Sequence, residues 1–147
     1  MSIAERTAQA VWSGPLPSGT GQINVAKSPL DGAEVSWAAR TGDVDGQTNP
    51  EQLLAAAHSS CFSMALALRL GERKVAPERL QVEATVTLDE VDGRPTITSS
   101  RLIIKARVPG LDNDAFQTAV AEAAELCPVS RLFAGARISV DALLEPR

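Results

Sequence analysis

Residues 49–70, NPEQLLAAAHSSCFSMALALRL, limit most strongly how this chain can fold. The stretch opens like a helix. Asn49 can cap it, Pro50 suits the first helical position, and Glu51 and Gln52 suit the positive end of the dipole. Leu53, Ala57, Cys61, Met64 and Leu68 then form one apolar stripe, and Leu54, Phe62, Ala65 and Leu66 cover much of the rest. A helix apolar nearly all round has to be covered on nearly all sides. A chain of 147 residues has little material for that, so a second copy is expected to contribute. Ala55, Ala56, Ala57, Ser59 and Ser60 would let another backbone approach closely. His58, Ser59, Ser60, Ser63 and Arg69 interrupt the apolar run, which marks a core helix of a soluble protein rather than a membrane span.

The rest of the chain is organised around that helix. Before it, TAQAVW, TGQINVAK and AEVSWAAR read as short strands separated by the turn-rich SGPLPSGTG and SPLDG. After it, LQVEATVTLDEV alternates apolar and polar residues over Leu80–Leu88, the period of a half-buried strand. A DGRP turn leads to TITSSRLIIKARVP as its hairpin partner. DNDAFQTAVAEAAEL is a second helix, opened by Asp112 or Asn113, with Phe116, Val120 and Ala123 or Ala124 inward. It ends at Cys127, because Pro128 pushes the preceding residue out of the helical region. PVSRLFAG suggests a further short turn, and ARISVDALLEP closes as a strand. The expected architecture is α+β, order β-β-β-α-β-β-α-β, in one domain spanning residues 1–147, and no strand–helix alternation calls for a parallel sheet.

Charge narrows the function classes. A net charge of −4, a pI near 5.0 and the lack of any basic run give no reason to approach nucleic acid or an anionic membrane. The N-terminus, MSIAERTAQAVW, lacks the pattern of a signal peptide, so a cytoplasmic location is expected. In that reducing compartment a structural disulfide is the less favoured explanation for two cysteines.

Those cysteines are the chemical signal. Free cysteine usually behaves as a small buried hydrophobe, and inert core is the plain reading of Cys61. Cys127 stands at a helix break, where a new turn beginning at Pro128 would put it at an N-cap that favours a thiolate. A nucleophilic thiol needs a lowered pKa, and burial works the other way. Cys61 lies too deep in its helix for the dipole to help, so it needs an external cation. Arg69 is about 80° round the helix from it and cannot reach, whereas Arg40, read as the end of a strand beside a loop, can be placed over the sulfur. Alone, Arg40 would be a solvated strand-end charge and Glu51 a first-turn dipole residue. Together they can form the fork that guanidinium and carboxylate share. Ten residues of straight helix put Glu51 about 15 Å from Cys61, so both line one site only if the helix breaks or a second subunit supplies Glu51. The second option is favoured here. His58, the sole histidine, reads as a structural polar residue, and one histidine with two such spaced cysteines makes no zinc set.

NPEQLLAAAHSSCFSMAL followed by LCPVS resembles the OsmC/Ohr family of bacterial thiol peroxidases, and the likeness extends over nearly the full chain. AVWSG with GTGQ, the arginine shortly before NPEQ, VPGLD and the closing strand resemble the OsmC branch more than the Ohr branch. The resemblance implies an intertwined homodimer with its long helices central and its active sites at the subunit interface. It implies reduction of hydroperoxides, preferably organic ones, without metal or other cofactor, and recycling by a dithiol such as a dihydrolipoyl group. By position it makes Cys61 the peroxidatic cysteine, Cys127 the resolving one, Arg40 the activator of the thiolate and Glu51 the group that orients Arg40. A small-molecule binding module and a thiol–disulfide redox sensor stand as alternatives from other classes.

Overall fold

The computed structural model describes residues 1–146, and these form two compact units, residues 1–53 and the chain from Leu54 onward. In the first unit, β1 (Gln9–Ser13) pairs antiparallel with β2 (Thr20–Asn24), which pairs antiparallel with the two-residue β3 (Glu34–Val35). A helical turn, α1 (Trp37–Thr41), follows, and β4 (Gln47–Thr48) then lies parallel to β3 as the sheet's other edge. The strand expected over AEVSWAAR is therefore corrected, since only Glu34 and Val35 are extended. Ser36 ends the strand by capping α1, its hydroxyl accepting from the Ala39 N–H at 3.0 Å. Arg40 consequently stands in the last turn of a short helix, not at a strand end.

The long helix, α2 (Pro50–Glu72), starts as its sequence dictates. The Asn49 side chain accepts from the Gln52 N–H at 2.8 Å. The helix is long and apolar enough by length and composition to span a membrane. Phe62, Leu66 and Leu70 are instead wholly buried in a protein core. The face left outside is also apolar. Met64 and Leu68, on the stripe named from the sequence, are 72% and 55% exposed in the single chain.

In the second unit, β5 (Arg79–Val91) and β6 (Arg94–Arg107) make a long antiparallel hairpin closed by Asp92 and Gly93. Both turn residues have positive φ, 52° and 75°, the twist that a two-residue hairpin turn needs and that Asp-Gly tolerates. α3 (Asn113–Leu126) is capped by Asp112, whose carboxylate accepts from the Ala115 N–H at 2.8 Å, and it buries Phe116, Ala119, Val120 and Ala123. α4 (Pro128–Leu132) follows at once, with Cys127 as the joint between the two helices. β7 (Arg137–Leu144) then pairs with β6 in parallel. That pairing departs from the sequence reading, because α3 and α4 supply the crossover that parallel neighbours require. The core is packed between α2, α3 and this sheet, with Leu102, Ile104 and Ala106 of β6 at its centre.

Candidate active site

Two pairs of candidate side chains meet, one pair in each unit. In the first unit Arg40 and Glu51 form a forked ion pair. Nη2 donates to Oε1 at 2.7 Å, and Nε donates to Oε1 at 3.1 Å and Oε2 at 3.2 Å. Local structure holds both partners. Arg40 rides on α1, and the Asn49 side-chain amide donates to the Ala39 carbonyl at 2.9 Å, fastening α1 to the start of α2. Glu51 sits in the first turn of α2 and is buried down to 9%. Arg40 remains partly open to solvent on one side of an apolar cleft of ≈ 250 Å³, which Trp12, Leu16, Val35, Trp37 and Pro50 also line. The aromatic and aliphatic lining comes from three separate segments, so no local pattern along the chain marks it.

In the second unit the two thiols meet. Both cysteines are reduced, Cys61 half-buried on α2 and Cys127 wholly buried at the α3–α4 joint. Burial pushes the Cys61 thiol above its ordinary range. The Val129 N–H, at the start of α4, donates to the Cys61 sulfur and pulls the other way, favouring the thiolate. Cys127 opposes ionisation by accepting a hydrogen bond from the neutral Cys61 thiol and by charge repulsion between the two sulfurs. The first turn of α4 thus serves Cys61, where the sequence suggested a benefit to Cys127. Val129 carries no sequence signal for this role, because its contribution is a backbone group brought there by tertiary structure.

A buried polar cluster lies one helical turn away. His58, wholly buried on α2, bonds through Nδ1 to the Ser100 hydroxyl on β6 at 2.6 Å and through Nε2 to the Ser130 hydroxyl on α4 at 2.7 Å. Its ring meets Phe133 edge-on, with centroids 5.0 Å apart. Desolvation holds its pKa below the usual histidine value. A neutral imidazole fits, since it donates from one nitrogen and accepts at the other. The structural reading of His58 thus gains its two partners, which the sequence did not reveal.

The sequence grouped Arg40, Glu51, Cys61 and Cys127. Glu51 joins Arg40 of its own chain, and Cys127 joins Cys61. α2 runs unbroken from Pro50 to Glu72, which removes the helix break as a way to bring Glu51 to its own Cys61.

The family model for OsmC-like protein matches residues 42–142. The chain belongs to the OsmC-like family. It is 38% identical over 133 residues to peroxiredoxin OsmC of Escherichia coli, covering 90% of this chain and 92% of that one. It is 31% identical to the organic hydroperoxide resistance protein-like 2 of Staphylococcus epidermidis, over 87% of this chain and 92% of that protein. Among solved structures it resembles the organic hydroperoxide resistance protein OhrB of Bacillus subtilis, with a TM-score of 0.72 and 29% identity, over 93% of this chain and 98% of that one. Relatives bearing these names support a peroxidase-type role for the OsmC-like chain. Glu51, Cys61 and Cys127 fall within the residues matched by the family model, and Arg40 lies just outside them.

Proposed function

We propose that this chain is a cysteine-based peroxidase that reduces organic hydroperoxides, and hydrogen peroxide less well, acting as one OsmC-like domain in a homodimer. The observation that carries the reading is the meeting of two reduced thiols from separate elements, Cys61 and Cys127, in a chain of this family. The Cys61 thiolate attacks one peroxide oxygen, the O–O bond breaks, and the alkoxide takes a proton to leave as the alcohol. Cys61 is left as the sulfenic acid. Cys127 attacks that sulfur, forming the Cys61–Cys127 disulfide and releasing water. A dithiol, such as a dihydrolipoyl group, then reduces the bond by two exchanges and is itself oxidised to a disulfide.

The proposal assigns Arg40 to the thiolate and to the charge that develops on the leaving oxygen, and Glu51 to the orientation of Arg40. Ten residues of helix separate Glu51 from Cys61 by about 15 Å, so the Arg40–Glu51 pair is assigned to the Cys61 of the partner subunit. The exposed apolar face of α2 around Met64 and Leu68 favours that second copy. The cleft beside Arg40 suits the hydrocarbon part of an organic peroxide. Working thiols of this kind suit the reducing cytosol.

Peroxide consumption with dihydrolipoamide as reductant provides the test. Cys61→Ser is expected to abolish consumption of cumene hydroperoxide, and Cys127→Ser to give one stoichiometric burst and then stall. Full turnover by Cys61→Ser defeats the proposal.

A further inference from the structure

The buried histidine and the thiol pair share a geometry that the chemistry above does not use. His58 precedes Cys61 by three residues on α2, and Ser130 follows Cys127 by three residues on α4. The His58–Ser130 bond therefore joins α2 to α4, while the thiol contact joins α2 to Cys127, the residue that caps α4, one helical turn from each sulfur. α4 has only five residues, too few to hold a helix by its own hydrogen bonds, so tertiary contacts set its placement. His58 meets it at Ser130 through Nε2 and meets Phe133, the residue that ends it, edge to face, while Ser100 on β6 bonds the other ring nitrogen. We infer that His58 and Ser130 are positioning residues for the resolving step, holding α4 against α2 so that the Cys127 sulfur is kept in line with Cys61.

The inference rests on the peroxidase reading for its biological use, though not for its test. The step concerned converts Cys61 sulfenic acid and the Cys127 thiol into the disulfide and one water. Its rate and equilibrium depend on how strongly the fold confines the two sulfurs, and confinement can raise an effective concentration by orders of magnitude. No group of the histidine enters the balance. His58 acts only through the helix it holds.

The experiment equilibrates the full-length protein with reduced and oxidised dithiothreitol and counts free thiols. Here Cys61 and Cys127 lose two protons and two electrons to the oxidised reagent, which becomes the dithiol. Ser130→Ala and Ser100→Ala each remove one hydroxyl partner of the same imidazole, so they serve as a matched pair for stability, followed by Tm. Ser130→Ala is expected to weaken disulfide formation about tenfold, as loss of one buried hydrogen bond allows, and Ser100→Ala by less than about threefold. Equal effects of the two variants, or none, overturn the inference. Should Ser130→Ala fail to fold, the wild-type protein carries the test. Its single histidine gives one pair of ring nitrogens in a ¹⁵N spectrum. Those resonances are expected to move when the disulfide closes, and an identical spectrum in the two states overturns the inference. Failure of the wild type to consume cumene hydroperoxide would defeat the peroxidase reading alone, because the dithiothreitol equilibrium needs no peroxide.

Discussion

At the scale of single residues, Cys61 illustrates a conflict between packing and reactivity. Its place on a helix among apolar groups raises the thiol pKa, and one backbone N–H is a partial answer at best. A guanidinium is the stronger remedy, and its geometry matters as much as its charge. Arg40→Lys would keep the charge, but an ammonium cannot reproduce the forked bonds to Glu51. That variant is expected to lose kcat/KM for cumene hydroperoxide by on the order of a hundredfold, the usual scale for removing one aimed donor. Arg40→Ala should in addition move the pH midpoint of Cys61 alkylation upward, and an unmoved midpoint would remove Arg40 from the role of activator. His58 supplies a pH prediction of a different kind. Its folded-state pKa is depressed, so the unfolded chain binds more protons near the ordinary value of 6.5. The stability this neutral ring contributes is present above that pH and is lost as pH falls toward the depressed value. Urea unfolding of wild type and His58→Gln should differ by about 1–3 kcal/mol at neutral pH, with the gap narrowing toward about pH 5. A gap that stays constant would show that the ring does not fold as the neutral species.

Among the elements, the legible ones carry their signals locally. α2 and α3 announce themselves through Asn49, Pro50 and Asp112, and the hairpin through alternation and an Asp-Gly turn. α1 is too short to display a helical period, and the alternation of Val35 and Trp37 imitates a strand. Its one available sign was Ser36 ahead of Trp37-Ala38-Ala39, a cap followed by helix-compatible residues. The parallel partnership of β6 and β7 leaves no local trace, because the choice of neighbour is made through a crossover. The candidate site divides the same way. Glu51, Cys61 and Cys127 were legible as candidates from NPEQ, SSCFSM and LCPVS, and Arg40 only from its place shortly before NPEQ, whereas the Val129 N–H, the two serines on His58 and the cleft lining depend on contacts remote in sequence. β2 offers an element-scale test. A Cβ on Gly21 would lie 2.8 Å from Val35 Cγ2 and 2.9 Å from the Trp12 ring, closer than side chains tolerate. Gly21→Ala should therefore push the Trp12 ring aside and destabilise this sheet by about 1–3 kcal/mol. Circular dichroism melting and tryptophan fluorescence would report it, and an unchanged Tm would mean that the ring yields without cost.

For the molecule as a whole, the proposed homodimer turns on which chain's arginine would serve which chain's sulfur. The exposed Met64 and Leu68 give the first handle, since Leu68→Arg in an interface would bury an unpaired charge. That variant is expected to run as a monomer in light scattering and to lose turnover with its partner. Subunit mixing then separates the two arrangements. Consider Cys61→Ser chains exchanged with Arg40→Ala chains. Where Arg40 crosses to the partner, each mixed dimer has one site with both lesions and one site with neither, since the intact arginine of the serine chain meets the intact thiol of the alanine chain. Random exchange makes about half the dimers mixed, and each has one good site of two, so activity should return to about a quarter of wild type from two nearly inactive parents. Where Arg40 serves its own chain, every site in every dimer keeps one lesion, and mixing restores nothing. Recovery near one quarter therefore requires the crossed site, and an inactive mixture of exchanged dimers excludes it.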